Sequence, residues 1–196
     1  PIKATFLAAH AFPSKFKNDH QGYIGLIINE MLPLIAAENL ADYIDVFCEK
    51  GFFSVEETDQ ILNAGAKYGL KPKIHANQLS VSGAIEVAVK NKAISVDHLE
   101  ESNEETIETL RNANTIVTLL PSCSFYLGIP FADAKGFIKT GLPVAFSLAA
   151  LGLASGMIAI EFGFFPAQFM ANLPYRVFGI LSNELLLSIP FFTTAK

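Results

Sequence analysis

The sequence has few cysteines and no cluster of basic residues. The first absence argues against a disulfide-rich protein and the second against a nucleic-acid-binding protein. Cys48 and Cys123 are the only thiols, and each stands within an apolar run that resembles a strand. Two isolated thiols fit a reducing compartment better than a disulfide framework. Acidic residues outnumber basic ones by 19 to 14, and no basic patch with interleaved aromatic residues occurs. We therefore expect no nucleic-acid partner.

Several motifs of common enzyme classes are also missing. No GxGxxG or P-loop pattern follows the first strand-like run, which weakens the case for nucleotide binding. No GxSxG surrounds a serine, so serine-hydrolase chemistry has no support. The first apolar run is short and is interrupted by His10, unlike a signal peptide. Because the chain opens on that run without an initiator methionine, we expect a fragment or a processed product.

Charge is almost absent from the last part of the chain. Of the 33 charged residues (14 basic and 19 acidic), 29 lie within the first 139 positions, and residues 142–160 carry none. An apolar stretch of that length could cross a bilayer. One alternative is therefore a non-catalytic, membrane-associated protein that uses this segment.

Strand-like and helix-like segments alternate along residues 1–147. The strand-like runs are short and nearly all apolar, as expected when helices cover both faces of a parallel sheet; they are 2–9, 42–48, 72–76, 93–97, 115–120 and 142–147. Helix-like stretches lie between them, at 23–38, 54–69, 80–90, 103–111 and 131–139. Ser54 and Glu57 are spaced as a capping box, and Ser102 or Asn103 caps the fourth helix. This alternation predicts a parallel α/β fold.

The pattern alone leaves two parallel folds open, an open doubly wound sheet and a β/α barrel. A complete barrel needs eight strands, and only six are legible. We therefore expect part of a (β/α)8 TIM-type barrel over residues 1–147. Residues 148–196 are predicted to form an apolar, helical tail.

Three histidines give the strongest functional signal. His10, His75 and His98 each stand at the carboxyl end of a strand-like run, and in a β/α barrel those ends form the face where chemistry is done. Each could instead be a core histidine that is hydrogen-bonded to the backbone. Asp97, Glu100 and Glu101 flank His98 and could hold its imidazole in one tautomer and tune it as an acid or base.

Other polar residues near the strand ends leave more than one interpretation open. Cys48 could be a nucleophile or a buried structural thiol. The hydroxyl groups of Ser122–Ser124 could line a pocket where the fifth strand ends. Asn77 and Gln78 are amides, which can bind a polar ligand but cannot exchange protons. His20 lies in a polar stretch and is expected to be solvated.

Five segments in consistent order resemble the imidazolonepropionases, of the metal-dependent amidohydrolase superfamily: TFLAAHAFP, DYIDVFCEKGFFS, KIHANQ, SVDHLEE and TLLPSCSFYL. The resemblance covers roughly residues 3–145. It implies a (β/α)8 barrel with a small β-domain, in a cytoplasmic homodimer that acts on a small molecule. The implied reaction is hydrolysis of 4-imidazolone-5-propanoate to N-formimidoyl-L-glutamate in histidine degradation, with one zinc or iron ion.

The resemblance also implies roles for four residues. His75 would be a metal ligand, His10 would hydrogen-bond the substrate, and His98 would be catalytic, either orienting the attacking water or moving its proton. Gln78 stands where many members have a glutamate that contacts substrate and is assigned as the base. A neutral amide can bind the substrate but cannot take a proton, so the role of base is left open.

Three of the four metal ligands that the resemblance implies are absent from the sequence. No HxH pair occurs, and after GLPVA the chain reads FSLAALGLASG, with no acidic residue before Glu161. One histidine would hold a metal weakly, so we expect no catalysis by the 196 residues alone. The tail has three possible origins: a frameshift or misjoin, a membrane-associating extension, or helices that cover open barrel edges. A frameshift predicts an Asp-x-Asn-Pro-Gly continuation in another reading frame past Ala145.

Overall fold

The computed structural model describes residues 3–164 and 166, and the chain divides into two units, Pro1–Ser147 and Leu148–Lys196. The strands all belong to the first unit and are β1 (Thr5–Ala9), β2 (Tyr43–Cys48), β3 (Lys71–Ala76), β4 (Ser95–His98), β5 (Ile116–Leu119) and β6 (Val144–Phe146). The helices of that unit are α1 (His20–Leu26), α2 (Leu32–Ala37), α3 (Val55–Ala66), α4 (Ala84–Lys90), α5 (Glu104–Arg111), α6 (Pro121–Leu127) and α7 (Ala134–Lys139). In the second unit, residues Leu148–Glu161 form α8.

The six strands are parallel and lie side by side in the order in which they occur in the sequence. A doubly wound sheet reverses its strand order at a switch point, whereas a barrel adds each strand beside the one before it. The sequential order therefore decides between the two folds that the sequence left open. It confirms the expected partial (β/α)8 barrel.

The two faces of the sheet differ in polarity because successive strand residues point to opposite sides. One face packs under the helices: a Cβ added to Gly65 of α3 would lie 2.9 Å from the side chain of Ile44 on β2. Val46 and Ile74 alternate in step with Ile44, and both are completely buried. The intervening positions of β2, β3 and β4 carry the polar side chains of the candidate site.

Residues 20–37 form one helical stretch that is interrupted by a π-helical turn at Ile27–Met31. Pro33 accounts for the interruption, because proline has no N–H and its ring clashes with the carbonyl group four residues earlier in a regular helix. The extra residue rotates the second half of the helix. Leu32 is consequently buried and Leu34 is 62% exposed, although a regular helical period from Ile27 would bury Leu34.

The helix starts follow their capping residues. The predicted capping box of α3 is confirmed: Glu57 N–H donates to Ser54 Oγ at 3.2 Å, and Ser54 N–H donates to Glu57 Oε2 at 2.9 Å. Asn103, rather than the preceding serine, caps α5. Two other predicted starts are too early, since α4 begins at Ala84 and α7 at Ala134.

The sequence pattern misplaces one segment around the fifth strand. It puts Ser122–Ser124 at the strand end and Cys123 in a strand-like run, but these residues lie in α6. β5 ends at Leu119, and Pro121 occupies the first turn of α6, where the missing N–H has no intrahelical partner to lose. This proline was the available signal for the extra helix.

The uncharged stretch 142–160 is not a single element. It contains strand β6 and most of helix α8, which has 14 residues, whereas a bilayer span takes about 20. Across residues 3–164 and 166, no helix is both long and apolar enough to cross a membrane. The remaining predictions for the tail concern residue 165 and residues 167–196, which lie outside the described part of the chain.

Candidate active site

His10, His75 and His98 form one cluster at the carboxyl edge of the sheet. His10 directly follows β1, His75 is the penultimate residue of β3, and His98 is the last residue of β4. The ring centroids of His10 and His75 are 4.5 Å apart, and those of His75 and His98 are 5.0 Å apart. The strand-end positions in the sequence therefore correspond to real proximity in the fold.

A buried carboxylate on β2 links two of these rings. Asp45 Oδ1 lies 3.1 Å from His75 Nδ1 and 3.4 Å from His10 Nε2, and its side chain is 1% exposed. Because β2 lies between β1 and β3, Asp45 can reach both neighbours. Sequence reasoning missed this residue. Its signal is a single acidic residue in the apolar run YIDVFC, since a carboxylate is rarely buried unless it is paired.

The pKa of Asp45 is lowered in spite of its burial. Burial raises the pKa of a carboxyl group, but the contacts with the His10 and His75 imidazoles outweigh that effect and hold the pKa of Asp45 well below its usual range. A cation also lies close by: Lys73 Nζ is 3.8 Å from Asp45 Oδ2 and 3.3 Å from Asp97 Oδ2. The charges of this polar face therefore alternate along the sheet.

The residues present fit a divalent metal ion. Donor atoms of His10, Asp45 and His75 all lie within 4.8 Å of one another, and imidazole with carboxylate is a donor set that suits zinc or iron. A carboxylate hydrogen-bonded to one nitrogen of a histidine is a common way to orient the other nitrogen toward a metal. His10 Nε2 is buried, and among the described residues its 3.4 Å contact with Asp45 Oδ1 does not form a hydrogen bond, so this nitrogen can still bind a ligand.

His98 owes its position to an unusual backbone conformation. Its φ is +91° and that of Leu99 is +62°, and such values cost a non-glycine residue about 1–3 kcal/mol. Regular alternation along β4 would direct His98 toward the helices, whereas its ring lies 5.0 Å from that of His75. The Leu99 N–H donates to the Ala76 carbonyl oxygen at 3.1 Å, which ties this turn to the end of β3.

Gln78 lies in the loop that follows β3, at the same edge as the histidines. Its side chain is 8% exposed, and its Nε2 lies 3.6 Å from Cys123 Sγ of α6. Glu49, which follows β2, holds this loop in place through hydrogen bonds. The Glu49 carboxylate accepts hydrogen bonds from the Leu79 N–H at 2.9 Å and from both the N–H and the hydroxyl group of Ser80.

The two cysteines have the surroundings of structural thiols. Burial raises the pKa of both Cys48 and Cys123, and Cys48 is 1% exposed. A nucleophilic cysteine needs a lowered pKa, because the thiolate is the reactive form. The geometry therefore gives no support to a thiol enzyme.

His20 is partly solvated, with 40% of its side chain exposed, but it does not lie in a loop as its polar neighbours predict. It is the first residue of α1, and its ring stacks on Phe12 with a centroid distance of 3.7 Å. Its Nδ1 lies 2.9 Å from Glu57 Oε1. His20 thus joins α1 to the start of α3.

Three sequence relatives of this chain are each named imidazolonepropionase. The chain is 58% identical over 144 residues to the imidazolonepropionase of Flavobacterium psychrophilum and 48% identical over 144 residues to that of Thermoanaerobacter pseudethanolicus. It is 45% identical over 146 residues to that of Shouchella clausii. Each alignment covers 74% of this chain and 33% to 35% of the relative. The chain thus spans about a third of the length of the curated relatives it matches.

Solved structures share the fold at low sequence identity. An adenosine deaminase from Xanthomonas campestris with bound zinc matches with a TM-score of 0.57 and 11% identity, over 74% of this chain and 36% of that one. A guanine deaminase from C. acetobutylicum with bound guanine matches with a TM-score of 0.51 and 17% identity, over 74% and 39%. No family profile matches the chain. The identities to the three bacterial proteins nevertheless show that this chain is similar to about a third of an imidazolonepropionase.

Proposed function

We propose that this chain supplies the histidine-bearing part of an active site that hydrolyses a C–N bond of a cyclic amide. The proposed reaction converts 4-imidazolone-5-propanoate to N-formimidoyl-L-glutamate in histidine degradation. The observation that carries the proposal is the convergence of His10, His75 and His98 around the buried Asp45 carboxylate. The convergence occurs in a chain that is 58% identical to a protein named imidazolonepropionase.

The metal in this proposal is held by His75. With Nδ1 of His75 donating to Asp45 at 3.1 Å, Nε2 of the same ring keeps its lone pair for the ion. A bound zinc or iron ion supplies Lewis acidity toward the carbonyl group and the attacking water. Asp45 acts here by fixing the ring orientation and tautomer of His75.

The other site residues bind substrate and move protons. In this proposal His10 hydrogen-bonds the substrate ring through Nε2, which is buried and has no hydrogen bond within the described part of the chain beyond its 3.4 Å contact with Asp45 Oδ1. Gln78 offers an amide to a polar edge of the substrate. Because that amide cannot accept a proton, His98 is the group in this proposal that takes the proton from water and returns it to the leaving nitrogen.

A chimera tests the proposal. Residues 3–145 of this chain would replace the matching stretch of the Flavobacterium psychrophilum relative, and ring hydrolysis would be measured. We expect an active chimera, loss of both metal and activity in His75→Ala, and at least about a 100-fold loss of kcat with retained metal in His98→Asn. His20→Asn is the matched control and should leave activity unchanged. A folded but inert chimera, or full activity in His98→Asn, would contradict the proposal.

The same proposal extends to the whole protein. We infer a cytoplasmic homodimer with zinc or iron, and no turnover by the 196-residue chain by itself. Of the described cluster of His10, Asp45 and His75, this proposal uses only His75 as a metal ligand, because Asp45 orients its ring and His10 binds the substrate. The sequence also has no HxH pair, and one histidine would hold a metal weakly. Ring hydrolysis by the purified chain with added Zn²⁺ or Fe²⁺ would overturn the inference of inactivity. Sedimentation and metal analysis of the whole protein test the remainder.

A further inference from the structure

Glu100 is a buried carboxylate whose two oxygens face two different side chains. Its side chain is 1% exposed. Oε1 accepts a hydrogen bond from the Ser124 hydroxyl group of α6 at 2.6 Å, while Oε2 lies 3.4 Å from Nδ1 of His98. Ser124 itself is 1% exposed. A line of polar contacts therefore runs from α6 through Glu100 to the end of β4.

The two facing atoms have no other partners. His98 Nδ1 and Glu100 Oε2 are both buried, and neither has a hydrogen bond within the part of the chain that the structure describes. Leaving a buried donor and a buried acceptor unpaired is costly, so these two atoms complement each other. Catalytic hydrogen bonds are often long before substrate binds, and the 3.4 Å between these atoms is a distance of that kind.

The chemistry of the carboxylate decides which atom carries the proton. Burial raises the pKa of Glu100, but its contacts with His98 and Ser124 outweigh burial and lower it, so the group is ionised. An ionised carboxylate only accepts hydrogen bonds. The hydrogen between Glu100 and His98 must therefore sit on Nδ1 of the histidine.

We propose that Glu100 and Ser124 are positioning residues for His98: Ser124 holds the carboxylate, and the carboxylate keeps the imidazole proton on Nδ1. The neutral ring is then left with its lone pair on Nε2, the form that a general base requires. The use of this lone pair in catalysis rests on the proposed function. The tautomer itself does not, and it can be measured without substrate or metal.

Long-range ¹H–¹⁵N correlation on the full chain labelled with [¹⁵N]histidine measures the tautomer. The sequence has four histidines, and the signals that vanish in His98→Asn are those of His98. With the ring neutral, at about pH 8.5, we expect Nδ1 of His98 to be protonated and Nε2 to carry no proton. A proton on Nε2 in the unmodified chain would overturn the proposal without any variant.

Two variants at position 100 test whether the Glu100 carboxylate fixes the tautomer of His98. In Glu100→Gln, the new amide oxygen should still accept the hydrogen bond from the Ser124 hydroxyl group, which turns the amide NH₂ toward His98. Because NH₂ donates, Nδ1 of His98 must then accept, and the imidazole proton should move to Nε2. Glu100→Leu has no acceptor and should lose the exclusive protonation of Nδ1, and Ser124→Ala should shift the same signals by a smaller amount. Glu57→Gln is the matched control, because Glu57 contacts His20; it should change only the His20 signals. An unchanged His98 pattern in folded Glu100→Gln would contradict the proposal, whether or not the chimera hydrolyses the ring.

Discussion

Asp45 Oδ1 lies 3.1 Å from Nδ1 of His75, although the two residues are thirty positions apart in the sequence. The register of the strands creates this contact: Phe47, two residues after Asp45, pairs with His75, while Asp45 itself pairs with Lys73. Asp45 and His75 are therefore diagonal neighbours on the same face. That face also carries the His10 ring, which lies next to that of His75.

The role of Asp45 predicts a loss of metal affinity when its charge is removed. Asp45→Asn keeps the size of the side chain but no longer offers a carboxylate to His75 Nδ1, so the imidazole loses its fixed orientation. Residues that hydrogen-bond a metal ligand typically contribute 10- to 100-fold to metal affinity. We expect a loss of about that size in the Zn²⁺ affinity of the active chimera, measured by competition with a chelating dye. Asp59→Asn, which alters a surface pair with Lys90, should leave the affinity unchanged. Equal affinity in both variants would show that Asp45 does not support the metal.

The features that could be predicted from the sequence are those that depend on residues close together in the chain. The capping box of Ser54 and Glu57 needs only a spacing of three residues. The alternation of strand-like and helix-like segments was enough to predict the six parallel strands. The strand-end histidines could be grouped because the ends of parallel strands share one edge. The resemblance to imidazolonepropionases rested on several such segments in order.

The features that were missed depend on contacts between distant elements. The pairing of Asp45 with His75 requires the strand register, which the sequence does not state. The positive φ of His98 has no local signal, since no glycine or asparagine marks the position. The π-helical turn before Pro33 combines a local clash with the need to bury Leu32, and only the first of these is visible in the sequence.

Glu49 gives a prediction about the loop that carries Gln78. The buried Glu49 carboxylate is the acceptor for the Leu79 N–H and for Ser80. Glu49→Gln replaces one acceptor oxygen with a donor, so at least one loop group loses its partner. We expect the free energy of unfolding of the full chain to fall by about 1–3 kcal/mol and the Leu79 amide to exchange faster with deuterium. Glu101→Gln, at an exposed position, should change stability by no more than about 0.5 kcal/mol.

Glu100 gives a prediction about stability in acid. Its pKa is lowered in the folded chain because the contacts with His98 and Ser124 outweigh burial, whereas an unfolded glutamate titrates near pH 4.3. A lowered pKa contributes stability that is present above about pH 4.3 and is lost as the pH falls through the folded value. We therefore expect urea unfolding to show a steeper loss of stability between about pH 5 and pH 3 for the original chain than for Glu100→Gln. Parallel stability curves for the two proteins over this range would contradict the lowered pKa.

The thiols give a prediction that separates a metal-dependent hydrolase from a thiol enzyme. Burial raises the pKa of Cys48 and of Cys123, so at about pH 7.5 each has less thiolate than a free cysteine of pKa about 8.5. We expect iodoacetamide to modify Cys48 only after unfolding in urea and Cys123 more slowly than a free thiol, as followed by mass spectrometry. Cys48→Ala and Cys123→Ser in the chimera should both retain ring hydrolysis, because neither thiol has a part in moving the proton or holding the ion. Rapid labelling of Cys48 in the folded chain, together with loss of hydrolysis in Cys48→Ala, would show that the reaction depends on the Cys48 thiol rather than on the histidines.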